Sequence, residues 1–206
     1  MELFWEVVRK LEKTGDKCEF SILPVKRSSS LFKQSKIDIH FLSVKRPRKD
    51  RIHSHAVILK FDVALTRKND PLITSIKELE GKKVGLIRGY YYPKELIENK
   101  KISISYADKY EQNMGMLIRK RIDAFIIPEN ICKKLIKNEK HKNQTHYCDT
   151  GPLFTHEVTF VFHKTMKGRK IQQKFNKALE ELRDGSYQKI LNKYKINKKL
   201  WPKMFK

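Results

Sequence analysis

The feature that most constrains the fold is a regular alternation of short apolar segments with amphipathic ones along the whole chain. The apolar segments have the length of strands, such as 124–127, and none approaches the ~20 residues that a membrane-spanning helix needs. The amphipathic segments carry apolar residues at helical spacing, as in 2–13, 111–119 and 170–182. Strands that alternate with helices predict parallel βαβ units, and therefore an α/β fold.

Two extended segments interrupt this alternation and predict a division into two lobes. Residues 56–66 and 157–163 each lie at a break between two βα groups. We therefore predict that the chain crosses between lobes in these segments. Residues 1–67 with 157–206 would form the first lobe, and residues 68–156 the second. A chain of 206 residues is long enough for two lobes, each with its own core.

The chain is strongly basic, with a formal net charge of +23 from 46 Lys and Arg residues against 23 Asp and Glu residues. Such a field attracts nucleic acids, anionic lipids and anionic ligands. A nucleic-acid-binding module usually concentrates its basic residues on one face or in one tail, whereas here they are spread along the sequence. We therefore expect a basic solvated surface, with nucleic-acid or polyanion binding as the alternative function.

Cysteine usage and the N-terminus bear on the cellular compartment. None of the three cysteines belongs to the C-x-x-C pair of a zinc site. Cys132 and Cys148 can pair in an oxidising compartment, but isolated buried thiols are the expected state. Residues 1–8 lack a basic segment followed by an apolar one, so no secretory signal is predicted there.

No sequence pattern supports catalysis, a metal or a cofactor. The seven histidines form no H-E-x-x-H motif, and neither a G-x-S-x-G motif nor a Walker-type loop is present. His53 and His55 share one strand face, as two metal ligands can, but such a pair is more often incidental. The acidic residues have no spacing that singles out an acid–base pair. We therefore predict no catalytic residues, no metal site and no cofactor, and a protein that is not an enzyme.

Four groups of short motifs occur in a characteristic order. They are LPVKR (23–27) with KID (36–38), KDR (49–51), IKELEGKKVG (76–85), and RIDA (121–124) with FNKAL (175–179) and DGSYQKI (184–190). Together they resemble extracellular solute-binding protein family 3, the periplasmic binding proteins of amino-acid ABC transporters. The resemblance covers almost the whole chain. It implies a periplasmic-binding-protein-like α/β fold of two lobes, with mainly parallel sheets joined by two crossing strands.

The resemblance also implies a function. The chain would hold a small polar ligand, anionic or zwitterionic such as an amino acid, between its lobes. It would act as a monomer in the periplasm and deliver its ligand to a membrane ABC permease, without specific nucleic-acid binding. The sequence begins at what resembles the family's first helix, so the family's first strand and part of its pocket have no counterpart in it.

Two of the candidate ligand-binding residues belong to the matching motifs, and the others follow such motifs along the chain. The candidates are Arg51, Arg27, Gly89, Tyr90, Tyr91, Tyr92 and Glu129. Arg51 stands at the arginine of the family's P-E-R motif, and a guanidinium offers a planar fork of donors that matches a carboxylate. Arg27 follows the proline turn. Glu129 lies next to Pro128, which occupies the position where amino-acid binders often carry the aspartate that holds the ligand's ammonium group.

The segment from Gly89 to Tyr92 has its own chemical logic. A glycine after a strand lets the backbone approach a ligand, and the helix predicted to begin near Pro93 favours an anion at its N-terminus. A tyrosine offers both a ring face and a hydroxyl group. The alternatives stay open: Arg51 as a solvated loop arginine, Arg27 as a residue that closes a turn, and the tyrosines as a packed turn.

Overall fold

The computed structural model of the chain describes residues 2–13, 15–46, 48–137, 143–146, 148, 151–193 and 201–202. The chain divides into two compact units: unit 1 contains Met1–Leu59 and His156–Lys206, and unit 2 contains Lys60–Thr155. The sequence placed the corresponding boundaries at 67/68 and 156/157.

Helices and strands alternate as follows. The helices are α1 (Glu2–Glu12), α2 (Val25–Lys33), α3 (Lys94–Ile97), α4 (Tyr110–Ile118), α5 (Glu129–Ile136), α6 (Met166–Glu181) and α7 (Ser186–Lys193). The strands are β1 (Ile39–Val44), β2 (Arg51–His53), β3 (Ile58–Leu65), β4 (Lys83–Ile87), β5 (Ser103–Ala107), β6 (Ala124–Pro128) and β7 (Phe154–His163). Short 3₁₀ turns occupy Lys77–Leu79 and Leu182–Asp184. The chain passes from one unit to the other within β3 and again within β7.

Unit 2 contains the parallel βα units that the sequence predicted. β4 pairs in parallel with both β5 and β6, and β3 pairs antiparallel with β6. All five residues of β6 are buried, because one apolar cluster covers Phe125 and Ile127 and another covers Ala124 and Ile126. A strand covered on both faces needs apolar residues at every position, which explains the unbroken apolar run in 124–127.

Unit 1 is built differently. β1 and β2 both pair antiparallel with β7, and Ile39 of β1 and Ile52 of β2 both lie opposite Phe162. The two strands therefore flank β7 on opposite sides, and the expectation of mainly parallel sheets holds only for unit 2. The sequence from Cys18 to Leu23 predicts a strand that ends before Pro24. This prediction was wrong, because residues 16–24 belong to neither a helix nor a strand. α1 is thus followed directly by α2, and the strand–helix–strand order that a parallel pair requires is absent from this part of the described chain.

The core of unit 1 lies where its helices meet β7. Buried residues of α1 and α6, such as Val7, Leu11 and Leu179, pack with Phe160 and Phe162 of the strand. The helical spacing predicted for 2–13 and 170–182 is confirmed by α1 and α6.

A disulfide bond joins Cys132, on α5, to Cys148, and both residues are buried in unit 2. The expectation of isolated thiols was therefore wrong for this pair, since the two Cα atoms lie 6.0 Å apart in the folded chain. Cys18 is the free cysteine. Within the described ranges, no helix combines the length and the apolarity that crossing a bilayer requires.

Candidate ligand-binding site

The turn after β4 places the predicted tyrosines at the carboxyl end of the parallel strands of unit 2. Gly89 has a φ of 82°, a left-handed conformation that favours glycine, and it redirects the chain after the strand. The hydroxyl group of Tyr92 accepts a hydrogen bond of 2.9 Å from the backbone N–H of Ile87. Tyr92 is buried, and burial raises the pKa of its hydroxyl group. The Tyr92 side chain therefore stabilises the turn, and its hydroxyl group stays protonated.

Tyr90 lies next to Tyr92 but is about half exposed, with 49% of its surface accessible. Its ring meets that of Tyr110, the first residue of α4, edge to face with the centroids 6.1 Å apart. Burial and a side-chain hydrogen bond with Tyr90 raise the pKa of Tyr110. About half of the Tyr90 surface is therefore accessible to solvent, and its ring contacts Tyr110.

A charged pair completes this group of side chains. The Nζ atom of Lys60 lies 5.8 Å from the ring centroid of Tyr90 and 2.8 Å from Oδ2 of Asp62. The Asp62 side chain is only 2% exposed, whereas that of Lys60 is 26% exposed. We call Lys60, Asp62, Tyr90 and Tyr110 the tyrosine cluster. It combines a buried carboxylate with aromatic faces, an arrangement that suits a cationic group.

Asp62 lies next to Pro128, the residue at the position where the resemblance leads one to expect an aspartate. In the β3–β6 ladder, Asp62 lies directly opposite Pro128, where the resemblance leads one to expect an aspartate. The adjacent Glu129 is buried, with 7% of its surface exposed, and its Oε1 atom lies 2.7 Å from Nζ of Lys133, one turn along α5. At this end of the strands, a buried carboxylate therefore comes from the neighbouring strand.

Sequence reasoning missed Lys60, Asp62 and Tyr110. A signal for two of them was present: in the strand ILKFDVAL, Lys60 and Asp62 interrupt an otherwise apolar run and lie two residues apart on one face. Two opposite charges on one face of a buried strand indicate a pair that is either structural or part of a site. Tyr110 carried no such signal, because only the folded chain brings it to Tyr90.

Arg51 lies in unit 1, on the short strand β2, and its side chain is only 5% exposed. It is not the solvated loop arginine of the alternative interpretation. Its Nε and Nη2 atoms donate to the two carboxylate oxygens of Asp50, at 3.2 and 2.7 Å. The guanidinium carbon lies 5.5 Å from the ring centroid of Phe32. The fork is therefore already engaged by a carboxylate, the group it is expected to bind in a ligand.

The charge of Arg51 influences the groups around it. The hydrogen bond from Arg51 lowers the pKa of Asp50 to about 2. Burial lowers the pKa of His40, and the nearby Arg51 lowers it further. Burial also lowers the pKa of His53. The neighbourhood of Arg51 therefore favours negative groups and disfavours additional positive ones.

The other predicted site residues, and the histidines considered as metal ligands, lie outside the tyrosine cluster. Arg27 is exposed on α2, and Tyr91 is half-buried. His53 accepts or donates a hydrogen bond with Oγ1 of Thr159, and His55 with Oε1 of Glu180. Across the ranges that the structure describes, no three His, Cys, Asp or Glu side chains come together in a way that could hold a metal.

No family model matches the chain. It is 30% identical over 134 residues to the probable amino-acid-binding protein YxeM of Bacillus subtilis (strain 168), an alignment that covers 63% of this chain and 50% of that protein. The chain thus spans about half the length of the curated relative it matches.

Solved structures share the architecture at low sequence identity. The ligand-binding core of GluR0 from Nostoc punctiforme, in complex with L-glutamate, superposes with a TM-score of 0.69 at 19% identity, covering 95% of this chain and 90% of that one. A mutant of ArgBP from T. maritima superposes with a TM-score of 0.67 at 20% identity, covering 95% and 84%. The chain has the fold of the periplasmic binding proteins.

This periplasmic-binding-protein fold confirms the fold class and the resemblance that the motifs indicated. An ancestral arginine-binding protein bound to arginine has the same fold, with a TM-score of 0.66 at 21% identity over 94% of this chain and 85% of that one. YxeM and the arginine-binding protein are binding proteins by name, and the GluR0 domain is named a ligand-binding core. The expectation that the chain is not an enzyme agrees with these names.

Proposed function

We propose that the chain is a solute-binding protein of an amino-acid ABC importer and binds a small zwitterionic or anionic ligand such as an amino acid. The tyrosine cluster carries this proposal. It offers a buried carboxylate beside an exposed aromatic face at the carboxyl end of parallel strands, where α/β proteins commonly bind ligands. The name of the relative YxeM, a probable amino-acid-binding protein, supports the same class of ligand.

The ammonium group of an amino acid would bind at the tyrosine cluster. It would take the place of the Lys60 ammonium group, which now lies 2.8 Å from Asp62 and 5.8 Å from the ring centroid of Tyr90. Lys60 can leave, because its long side chain is partly exposed and flexible. A bound cation would then be held by a carboxylate and by the faces of the tyrosine rings.

The carboxylate of the ligand would bind to Arg51. Asp50, its present partner, has a side chain that is 59% exposed, so it can move into solvent without losing a buried environment. A ligand carboxylate would take over the same two donor atoms, Nε and Nη2. Asp50 would thus hold the guanidinium in position until the ligand arrives. In this proposal the two lobes are units 1 and 2, and Gly89, Tyr91, Arg27 and Glu129 remain candidates for secondary contacts.

The proposal includes a compartment and a partner. The Cys132–Cys148 disulfide suits an oxidising environment such as the periplasm. The chain would act there as a monomer, and its ligand-bound form would dock on a membrane permease.

The first experiment identifies a ligand and tests the cluster. The proteinogenic amino acids are screened by thermal shift, and binders are measured by calorimetric titration. Tyr90→Ala should weaken binding by roughly 3- to 30-fold, the range expected for loss of a cation–π contact. Tyr106→Ala is the matched control, because Tyr106 is a tyrosine of unit 2 with nearly the same exposure, 46% against 49%. Equal affinity in both variants would remove the cluster from the site.

The second experiment tests Arg51. Arg51→Ala should weaken binding roughly 10- to 100-fold, since a charge-assisted hydrogen bond is lost, and Arg51→Lys should restore little. Because Arg51 is buried against Phe32, we also expect lower stability, so affinity must be measured at a temperature where both variants are folded. Asp50→Asn serves as the control. This variant should bind the ligand at least as tightly as the wild type, because an asparagine side chain competes less well than a carboxylate for the guanidinium group of Arg51.

The competing function is binding of a polyanion by the basic chain. Titration with duplex DNA across a salt series separates the two, because polyanion binding weakens steeply as salt rises. Tight DNA binding that persists at ~0.2 M salt, together with no amino-acid binding, would replace the present proposal.

A further inference from the structure

The tyrosine cluster offers a cationic group fewer acceptors than a primary ammonium group can use. A primary ammonium group has three N–H donors. The hydroxyl group of the neighbouring Tyr92 already accepts the backbone N–H of Ile87, and a side-chain hydrogen bond joins Tyr90 to Tyr110. The charged acceptor that the cluster itself supplies is therefore the carboxylate of Asp62, which is almost completely buried.

The residue beside Asp62 adds no acceptor. Pro128 lies directly opposite Asp62 in the β3–β6 ladder, and residues that lie opposite each other in a sheet direct their side chains to the same face. The proline ring presents carbon atoms at the position where the family resemblance leads one to expect a carboxylate. The carboxylate of the adjacent Glu129 lies 2.7 Å from Nζ of Lys133. The surroundings of Asp62 on this side therefore suit C–H groups better than additional N–H groups.

The distance between Lys60 and Tyr90 points in the same direction. The Nζ atom of Lys60 lies 5.8 Å from the ring centroid of Tyr90. A methyl carbon packs on an aromatic ring at about 3.5–4.0 Å, and an N–C bond adds about 1.5 Å. A nitrogen whose methyl group points at the ring therefore lies about 5.0–5.5 Å from the ring centre. The separation in this cluster is long enough for a methyl group to lie between a cationic nitrogen and the ring.

The ring of Tyr90 is also accessible to a ligand. Its plane is inclined by 73° to that of Tyr110, so the two rings do not stack, and 49% of the Tyr90 surface is exposed. Aromatic faces attract alkylated ammonium groups, because the positive charge of such a group is shared by the carbon atoms bonded to its nitrogen. One carboxylate beside carbon-rich neighbours thus suits a cation with one N–H donor and several methyl groups.

We infer that the tyrosine cluster selects an N-methylated ammonium group that keeps one N–H, as in N,N-dimethylglycine, over the primary ammonium group of a common amino acid. The cation takes the place of the Lys60 ammonium group. Its N–H donates to Asp62, and its methyl groups lie against Tyr90 and Pro128. This inference rests on the proposed function, because it names the ligand class of the same site.

A methylation series tests this selection while the carboxylate end of the ligand stays constant. Glycine, N-methylglycine, N,N-dimethylglycine and N,N,N-trimethylglycine are each titrated into the full chain by calorimetry at neutral pH, where all four carry a positive charge. Dimethylglycine should bind about tenfold or more tightly than glycine, because two methyl groups leave water. Trimethylglycine should bind about threefold or more weakly than dimethylglycine, because it cannot donate to Asp62.

The ring of Tyr90 should carry the preference for dimethylglycine. In Tyr90→Ala, the affinities for dimethylglycine and glycine should come within about threefold of each other, whereas Tyr90→Phe keeps the ring and should keep the preference. Tyr106→Ala is the matched control, with an exposure of 46% against 49%, and should leave the preference unchanged. The two affinities are compared within one variant, so a general loss of stability does not imitate a loss of selection. A preference that survives in Tyr90→Ala would overturn the inference.

The series also separates this inference from the proposed function. If proteinogenic amino acids bind and added methyl groups do not tighten the binding of glycine, the inference is overturned and the proposed function stands. If neither the series nor any proteinogenic amino acid binds, both are overturned. Trimethylglycine that binds as tightly as dimethylglycine would contradict the donation to Asp62 and would also overturn the inference.

Discussion

The two units of this chain bury their apolar residues in different ways. In unit 2, strands and helices alternate, β6 is covered on both faces, and a disulfide ties α5 to the loop that follows it. In unit 1, two antiparallel strands flank β7, and apolar residues of α1 and α6 pack against that strand. The comparison teaches that one chain can bury its apolar residues both in parallel βα units and around a strand with antiparallel partners.

The comparison is tested most strongly by one matched pair of core substitutions. Phe160 of unit 1 and Phe125 of unit 2 are both fully buried. We expect Phe160→Ala and Phe125→Ala each to lower the free energy of unfolding by about 3–5 kcal/mol, measured by denaturant titration. The two variants should differ at Cys18, which packs against the same cluster as Phe160. Phe160 also packs on Phe41 and Phe175, so its loss should speed maleimide labelling of the Cys18 thiol under native conditions, and the loss of Phe125 should not. Equal labelling rates in both variants would contradict the packing of Cys18 against the unit 1 core.

The disulfide should stabilise unit 2 alone. Replacing Cys132 and Cys148 together by Ser opens a loop of 16 residues, and we expect a loss of roughly 3 kcal/mol in unfolding free energy. Hydrogen exchange should accelerate first in α5 and in the strand next to it. Cys18→Ser is the control and should change stability by less than about 0.5 kcal/mol. A variant without the disulfide that is as stable as the wild type would contradict this role.

Tight packing in unit 2 predicts a cost for a single methyl group. A Cβ atom at Gly85 would lie 2.6 Å from Cδ1 of Ile122 and 2.7 Å from Oδ1 of Asn113. Gly85→Ala should therefore lower the unfolding free energy by about 1–3 kcal/mol. Gly115→Ala is the control on α4, where the nearest atom would lie at 3.5 Å, so the helix should become more stable by up to about 1 kcal/mol. A change in unfolding free energy of the same sign in both variants would contradict the packing described for β4.

The smallest expected effect is a pH dependence that arises in unit 1. The pKa values of His40 and His53 are lowered from 6.5, in both cases mainly by burial. The unfolded chain therefore binds more protons than the folded one when the pH falls below about 6.5, and stability decreases there. Denaturant titrations on either side of this pH should show the loss, and His40→Gln should reduce it. A flat profile in the wild type would indicate that both side chains titrate as in the unfolded chain.

Particular residues show how far sequence reasoning reached. The periodicity of apolar residues predicted α1 and α6, and the strand that the sequence predicts before Gly89 is β4. The same reasoning predicted a strand at 18–23, which the structure does not contain. An alternating pattern gives a segment the capacity to pair, but pairing also requires a partner strand at the right place.

The candidate site was predictable only in part. Gly89 and Tyr90 were found because a turn after a strand has a local signature in the sequence. Asp62 and Tyr110 were not, because each acquires its role from a neighbour that is remote in sequence: Asp62 from Pro128 in the ladder, and Tyr110 from the ring of Tyr90.

The sequence by itself determined the α/β class, the family resemblance and the excess of positive charge, since these depend on local periodicity, motif order and composition. Only the tertiary structure decided which strands pair, which cysteines bond, and that Arg51 is buried against Phe32 with Asp50 on its fork. The physical reason is distance along the chain. Hydrophobic spacing acts over a few residues, whereas pairing, burial and electrostatic shifts depend on contacts that are formed only when distant segments come together.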